Sequence, residues 1–282
     1  MANVFESRLS LNDGTELFIR DWLNEGTNEG KPSSCIVIMH GLGEHCGRYQ
    51  HIAPFLNSCG FSVRTFDHRG HGQSGGARAD IPDLLAMVHD AEFIIEDLAE
   101  RCQTLPILFG HSMGGLFAAH IATAGSVELR GLILSSPALA LRLGRADRFF
   151  LKIMSLAMPH FAISNGLDSA NLSHDPAVST AYNNDPLVHR KITASLLNGM
   201  LNSIDYVQTH APILTIPTLL MVAEDDRLVD PQGNHDFFDS LPSNLGTAHF
   251  YAGFYHEIFN ETKSDIVFKD LQNWLSARDF MT

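Results

Sequence analysis

Short apolar runs alternate with longer helical stretches along most of this chain, and this alternation constrains the fold more than any other feature. The stretches 83–101 and 116–124 are predicted helices, the first because its apolar residues recur at helical spacing. Strands that alternate with helices predict an α/β fold, with a mostly parallel central sheet flanked by helices. Six apolar runs are the predicted strands: 34–39, 60–66, 105–109, 131–134, 218–222 and 248–251.

The beginning of the chain predicts a hairpin instead of another parallel unit. Asn12, Asp13 and Gly14 form a turn signal between two strand-like segments, 5–11 and 15–22. The sheet is therefore expected to open with an antiparallel pair.

The alternation stops between residues 137 and 213, a stretch too long for a plain loop and without a convincing strand. Two helical candidates in it, 147–158 and 190–206, are rich in Phe, Met and Leu. We predict a catalytic core formed by residues 1–136 and 214–282. Residues 137–213 are predicted to form a helical cap, inserted before the strand at 218–222.

Charge and cysteine usage narrow the class of protein. The chain has 19 Lys and Arg against 32 Asp and Glu, a net charge of −13, which argues against a nucleic-acid partner. Its four cysteines, at 35, 46, 59 and 102, lack zinc-site spacing and the density of a disulfide scaffold. The amino terminus lacks the basic and apolar regions of a signal peptide, and no segment is apolar enough to span a bilayer. We therefore expect a cytoplasmic protein with reduced thiols.

The strongest chemical signal is the sequence Gly-His-Ser-Met-Gly at 110–114, between a predicted strand and a predicted helix. A residue on such a sharp turn is held in strained dihedrals, and the glycines two positions away on either side relieve the crowding. The turn exposes the Ser112 hydroxyl beside a helix amino terminus, which favours negative charge. Ser112 is therefore the predicted nucleophile.

A serine nucleophile needs a base, and the base needs an orienting carboxylate. His256 follows the last predicted strand and is the predicted base. Of the acids that follow the strand at 218–222, we favour Asp226, with Asp225 as the second choice. The order serine, acid, histidine is the one expected for this fold. Four acids compete for the role: Glu224, Asp225, Asp226 and Asp230.

Acyl transfer also needs donors for the developing oxyanion. The segment His-Gly-Leu-Gly at 40–43 follows the first buried strand, and its glycines allow the Leu42 N–H to face the site. The N–H of Met113, directly after the nucleophile, is the second predicted donor.

Two other patterns suggest different chemistry, but both are incomplete. His68 and His71, with His40 and His45, suggest a metal, but no Cys or carboxylate spacing completes a four-ligand zinc site. The glycines at 70 and 72 lack the three-glycine spacing of a dinucleotide fingerprint. We therefore predict no metal and no cofactor.

Taken together, these motifs resemble the α/β-hydrolase superfamily, and more closely its monoacylglycerol lipase and lysophospholipase branch. The resemblance covers nearly the whole chain, because its motifs extend from about residue 35 to residue 256. The motifs that carry it are 40–45 with Arg48-Tyr49, 67–74, 110–115, Asn184-Asp185-Pro186-Leu187, 226–229 and Tyr255-His256.

The resemblance implies a serine hydrolase of lipid esters, most similar to enzymes that hydrolyse monoacylglycerol or lysophospholipid. It implies Ser112, Asp226 and His256 as the triad, and the Leu42 and Met113 N–H groups as the oxyanion hole. It further implies a cap that forms an apolar acyl tunnel and makes transient contact with a membrane or micelle. The candidate substrate-binding residues in the cap are Phe149, Ile153, Met154 and Leu156.

Several functions remain open at this level. Ser112 at the turn argues against dehalogenases and epoxide hydrolases, which use an aspartate there. A general carboxylesterase, a proline iminopeptidase, a carbon–carbon hydrolase and an acyltransferase share the triad. A binding protein that senses a ligand without turnover is the alternative from a different class.

Overall fold

The computed structural model describes residues 4–24 and 34–281; residues 1–3, 25–33 and 282, which belong to the predicted core, lie outside the described residues. Its strands are β1 (Val4–Ser10), β2 (Glu16–Trp22), β3 (Cys35–Met39), β4 (Ser62–Phe66), β5 (Ile107–His111), β6 (Gly131–Ser135), β7 (Ile163–Ser164), β8 (Lys191–Ile192), β9 (Thr218–Ala223) and β10 (Gly246–Tyr251). Its α-helices are α1 (Ile52–Ser58), α2 (Ala86–Cys102), α3 (Met113–Ala124), α4 (Arg145–Ala157), α5 (Pro176–Asn184), α6 (Ala194–His210), α7 (Gln232–Ser240) and α8 (Asp265–Ala277). Short 3-10 helices lie at Cys46–Tyr49, Ser169–Asn171, Ala211–Ile213 and Ile258–Asn260.

The main sheet has eight strands in the order β1-β2-β4-β3-β5-β6-β9-β10. Six of these strands, β3, β4, β5, β6, β9 and β10, run parallel, whereas β1 pairs antiparallel with β2, and β2 antiparallel with β4. This confirms the predicted α/β fold and its opening hairpin. Each of the six predicted parallel strands is present, with ends within two residues of the prediction.

The parallel strands are buried on both faces, as strands covered by helices on each side must be. In β3, Ile36 and Ile38 face one apolar cluster with α1 and α8, while Val37 and Met39 face a second cluster with α2 and α3. Alternation along the strand therefore supplies both cores, and the strand ends are free to carry chemistry at the carboxyl edge of the sheet.

The segment between β6 and β9 is mostly helical, but it also contains a small antiparallel pair that the sequence pattern does not indicate. β7 and β8 pair Ile163 with Ile192 and Ser164 with Lys191. Two-residue strands are too short to give a periodic signal. Helix α6 packs on α3, and its side chains Leu196, Met200 and Val207 lie in the same cluster as the sheet residues. The division of the chain at residues 137 and 213 remains a prediction.

No helix in the described residues is both long enough and apolar enough to cross a bilayer. All four cysteines lie in the described part of the chain and are free thiols, three of them buried.

Candidate active site

Ser112 occupies the sharp turn between β5 and α3. Its backbone has φ 53° and ψ −119°, a conformation that a non-glycine residue rarely adopts and that costs free energy. A Cβ atom at Gly110 would lie 2.5 Å from the Gly114 carbonyl oxygen, and a Cβ at Gly114 would overlap the carbonyl oxygens of Met39 and His40. Glycine is therefore required on both sides of the turn.

Of the four acids considered for the triad, the structure brings only Asp226 to His256. The Asp226 Oδ2 atom lies 2.6 Å from His256 Nδ1. Its Oδ1 atom accepts hydrogen bonds from the N–H groups of Leu228 and Val229, at 2.8 and 3.0 Å. The other three acids have other surroundings: Glu224 pairs with His235, Asp225 is exposed, and Asp230 accepts from the Gln232 N–H.

The environment of this pair keeps the aspartate charged. Burial alone would raise the pKa of Asp226, but the His256 imidazole and the two backbone N–H groups outweigh burial and hold that pKa below its ordinary value. Burial alone would lower the pKa of His256, yet Asp226, Glu257 and Glu44 together raise it. Because a carboxylate only accepts hydrogen bonds, His256 Nδ1 carries the proton, and neutral His256 has Nε2 free to accept another.

Ser112 and His256 line one cavity with about 520 Å³ of empty space, which Leu42 and Met113 also line. The Leu42 and Met113 N–H groups donate to no protein acceptor within the described residues. The loop before Leu42 is fixed, because the Gly41 N–H donates to Glu44 Oε1 at 2.6 Å.

A second, larger cavity with about 1310 Å³ of empty space is lined mostly by residues of the segment between β6 and β9. Of the four residues predicted to bind substrate, Met154 lines this cavity. Phe149, Ile153 and Leu156 instead have exposed fractions of 68%, 47% and 81%. Five residues line both cavities, so the two cavities are adjacent: Leu42, Leu141, Leu167, Met200 and Leu228. Of these five, only Leu42 was predicted from the sequence as a site residue.

Four buried histidines near the site have lowered pKa values. Burial and the neighbouring His256 lower the pKa of His111 to about 4. Burial likewise lowers the pKa of His68 to about 4, and places the pKa values of His40 and His71 well below the ordinary histidine value. Across residues 4–24 and 34–281, no group of three or more His, Cys, Asp or Glu residues is placed to hold a metal ion.

Comparison with known proteins gives a consistent result. A family model described as "Serine aminopeptidase, S33" matches residues 30–263. The monoacylglycerol lipase of Mycolicibacterium smegmatis is 33% identical over 253 residues, covering 88% of this chain and 90% of that protein. Phospholipase YtpA of Bacillus subtilis is 33% identical over 245 residues, covering 85% and 93%. The crystal structure of Paleococcus ferrophilus monoacylglycerol lipase has a TM-score of 0.81 and 30% identity, covering 98% and 99%.

Proposed function

The chain belongs to the serine aminopeptidase S33 family, in its monoacylglycerol lipase branch, and we propose that it releases a fatty acid from monoacylglycerol through Ser112, Asp226 and His256. Family membership makes it a serine hydrolase of lipid esters with an α/β-hydrolase fold. The observation that carries the narrower proposal is the large apolar cavity under the cap, which shares five lining residues with the cavity at Ser112. An acyl chain in the large cavity would hold its ester carbonyl beside the serine.

The proposed reaction is acyl transfer to water. His256 Nε2 takes the proton of the Ser112 hydroxyl as Oγ attacks the ester carbonyl carbon, and the N–H groups of Leu42 and Met113 bind the oxyanion. The tetrahedral intermediate collapses, and His256 gives the proton to the departing glycerol oxygen. Water then attacks the acyl-enzyme, with its proton taken by His256. Collapse of the second intermediate releases the fatty acid, and the proton returns to Ser112 Oγ.

A lysophospholipid is the second candidate substrate. The similar Bacillus subtilis protein is named a phospholipase. The side chains of Arg142 and Arg227 lie on the wall of the large cavity and could pair with a phosphate. Both substrates have a single long acyl chain. Only the contacts of the head group would therefore distinguish them.

Transient contact with a lipid aggregate is part of the proposal. Helix α4 and the turn after it expose six large apolar side chains, more than solvent contact favours. Because the net charge is −13, attraction to anionic lipid does not support this contact, and burial of the apolar side chains must. The six are Phe149, Phe150, Ile153, Leu156, Met158 and Phe161.

A substrate panel on purified protein tests the proposed function. The panel compares long-chain monoacylglycerol with lysophospholipid, a chain-length series of p-nitrophenyl esters and a proline amide. We expect the highest kcat/KM for the monoacylglycerol. Ser112→Ala should abolish turnover and labelling by a fluorophosphonate probe. A preference for short esters would indicate a general carboxylesterase, and a preference for the proline amide an iminopeptidase. Absence of both turnover and labelling in the wild type would indicate a ligand-binding protein.

A further inference from the structure

A buried ion bridge connects the two loops on which the proposed reaction depends. Arg48 Nη1 donates to Glu44 Oε2 at 2.5 Å and to Glu257 Oε1 at 2.6 Å, and Nη2 donates to Glu257 Oε2 at 2.8 Å. The Arg48 side chain is 13% exposed and each glutamate 5%, so these contacts are shielded from solvent and from salt. The bidentate pairing with Glu257 also fixes the plane of the guanidinium.

The Glu44 end of the bridge holds the oxyanion loop, which is the segment 40–43 directly after β3. Glu44 Oε1 accepts the Gly41 N–H at 2.6 Å and the Tyr49 hydroxyl at 2.9 Å. On the other side of the same residue, His40 Nδ1 lies 2.8 Å from the Gly41 carbonyl oxygen. That carbonyl shares its peptide plane with the Leu42 N–H, so these contacts set the direction of the proposed oxyanion donor.

The Glu257 end holds the histidine loop, which is the segment 252–257 between β10 and the following 3-10 helix. Glu257 directly follows His256, and its Oε2 atom accepts from Asn260 Nδ2 at 2.7 Å. Its own N–H donates to the Leu172 carbonyl oxygen at 2.8 Å. Arg48, Asn260 and Leu172 therefore fix the residue next to the proposed base from three directions.

We propose that Arg48 is a positioning residue, which sets the distance between the oxyanion loop and His256 through Glu44 and Glu257. The inference rests on the proposed function, because it assumes that these loops perform the acyl transfer. A misplacement of about 1 Å between reacting groups can cost about a hundredfold in rate. A bridge with one charged end on each loop is suited to prevent such a misplacement.

The same cluster has a charge suited to the reaction. His256 is faced by Asp226, Glu44, Glu257 and the neutral His111 ring, whose centroid lies 4.8 Å away. Three carboxylates against one guanidinium leave excess negative charge beside the imidazole, which favours the imidazolium formed in each acyl-transfer step. Arg48 in turn holds the pKa of Glu257 at about 2 although burial opposes this, so Glu257 stays charged.

A buried ion bridge can also be purely structural, and a second arginine in this chain provides the control. Arg64 in β4 is fully buried and donates to Asp21 at 2.8 and 2.9 Å and to Asp97 at 2.5 Å. It is not among the residues that line the two cavities described above. Arg64→Lys therefore disrupts a comparable buried ion pair without touching the proposed site.

The first test compares Arg48→Lys with Arg64→Lys, measuring kcat and KM on a soluble short-chain ester together with Tm. Both variants should lower Tm. For Arg48→Lys we expect kcat to fall about ten- to a hundredfold with KM within threefold of the wild type. For Arg64→Lys, kcat should stay within threefold. Similar kcat values for the two variants would mean that Arg48 is only structural.

Glu257→Gln decides the question if Arg48→Lys fails to fold, because it keeps the shape of the side chain and removes its charge. We expect kcat to fall at least about threefold, and the acidic limb of the kcat/KM profile to move to lower pH, because His256 loses a nearby anion. An unchanged kcat and profile would overturn the proposal. Absence of Ser112-dependent turnover in the wild type would instead overturn the proposed function.

Discussion

Asp226 differs from the acids beside it in sequence by its surroundings. Its side chain is buried and has a hydrogen-bond partner for each oxygen, whereas Asp225, one residue away, is exposed. A carboxylate held in this way keeps one tautomer of the histidine and stabilises the imidazolium. This contrast makes the two neighbours a matched pair for mutation.

We expect Asp226→Asn to lower kcat by about ten-thousandfold, as loss of the charged acid does in other serine triads. The asparagine amide can donate to His256 Nδ1 and so favour the wrong tautomer. The measurement is kcat on a soluble ester. Asp225→Asn is the control and should keep kcat near that of the wild type. A larger loss in Asp225→Asn than in Asp226→Asn would show that the acid is misassigned.

At this scale the sequence predicts some residues better than others. Ser112 and His256 follow from their places after predicted strands, because parallel strands bring their carboxyl ends together at one edge. The acid could not be chosen in the same way, since four carboxylates share one loop and only the turn that binds Leu228 and Val229 selects among them. The Arg48 bridge is beyond sequence reasoning, because it joins residues 209 positions apart.

Among the structural elements, helix α4 has two apolar sides, and the four residues predicted to bind substrate are divided between them. Leu151 and Met154 face the large cavity, and Phe149 and Leu156 face outward. Phe150 lies between the two sides, because it lines the cavity and is also 50% exposed. Both sets recur at helical spacing, so periodicity alone cannot tell the cavity side from the outer side. The β7–β8 pair was missed for a related reason, because it depends on contacts between distant residues.

The inner side of α4 should control acyl-chain length. We expect Met154→Trp to lower kcat/KM for a long-chain p-nitrophenyl ester by about ten- to a hundredfold and to leave the butyryl ester unchanged, because the indole occupies the cavity that the chain needs. Phe149→Trp adds the same ring on the outer side and should change neither value. Equal losses on both esters would place the acyl chain elsewhere.

The outer side of α4 should control access to aggregated substrate. Leu156 is 81% exposed, and we expect Leu156→Glu to weaken binding to phosphatidylcholine vesicles by about tenfold, the loss of one buried leucine. Hydrolysis of monoacylglycerol in those vesicles should fall in parallel, with no change on a soluble ester. Lys152→Gln on the same helix alters the net charge by the same amount and should bind like the wild type. Unchanged vesicle binding in Leu156→Glu would rule out contact through this side.

For the molecule as a whole, its buried histidines link stability to pH. Burial strongly lowers the pKa of six histidines in the folded state, four to about 4 and two well below the ordinary histidine value. In the unfolded chain each would have a pKa near 6.5. The unfolded state therefore binds more protons as pH falls below about 6.5, and stability is lost from there toward pH 4. The six are His40, His68, His71, His111, His120 and His189.

Other groups do not cancel this effect. His256 has a raised pKa and adds stability at low pH, but it is a single group acting against six. The lowered carboxyl pKa values of Asp226 and Glu257 add stability that is lost only when pH falls through the ordinary carboxyl range, near pH 4 and below. Histidine protonation should therefore begin to unfold the protein before carboxylate protonation does.

We expect the free energy of unfolding to fall between about pH 6.5 and pH 4.5, with a slope of up to about 1.4 kcal/mol per pH unit for each buried histidine. Urea titrations followed by circular dichroism at several pH values measure this slope. His120 is buried and stacked on Tyr206. His120→Asn should therefore reduce the slope by up to about 1.4 kcal/mol per pH unit, the contribution of one proton, whatever its effect on stability at neutral pH. A wild-type slope of zero in this range would mean that these histidines already carry protons when folded or stay neutral when unfolded, and either result would contradict the linkage derived from their burial.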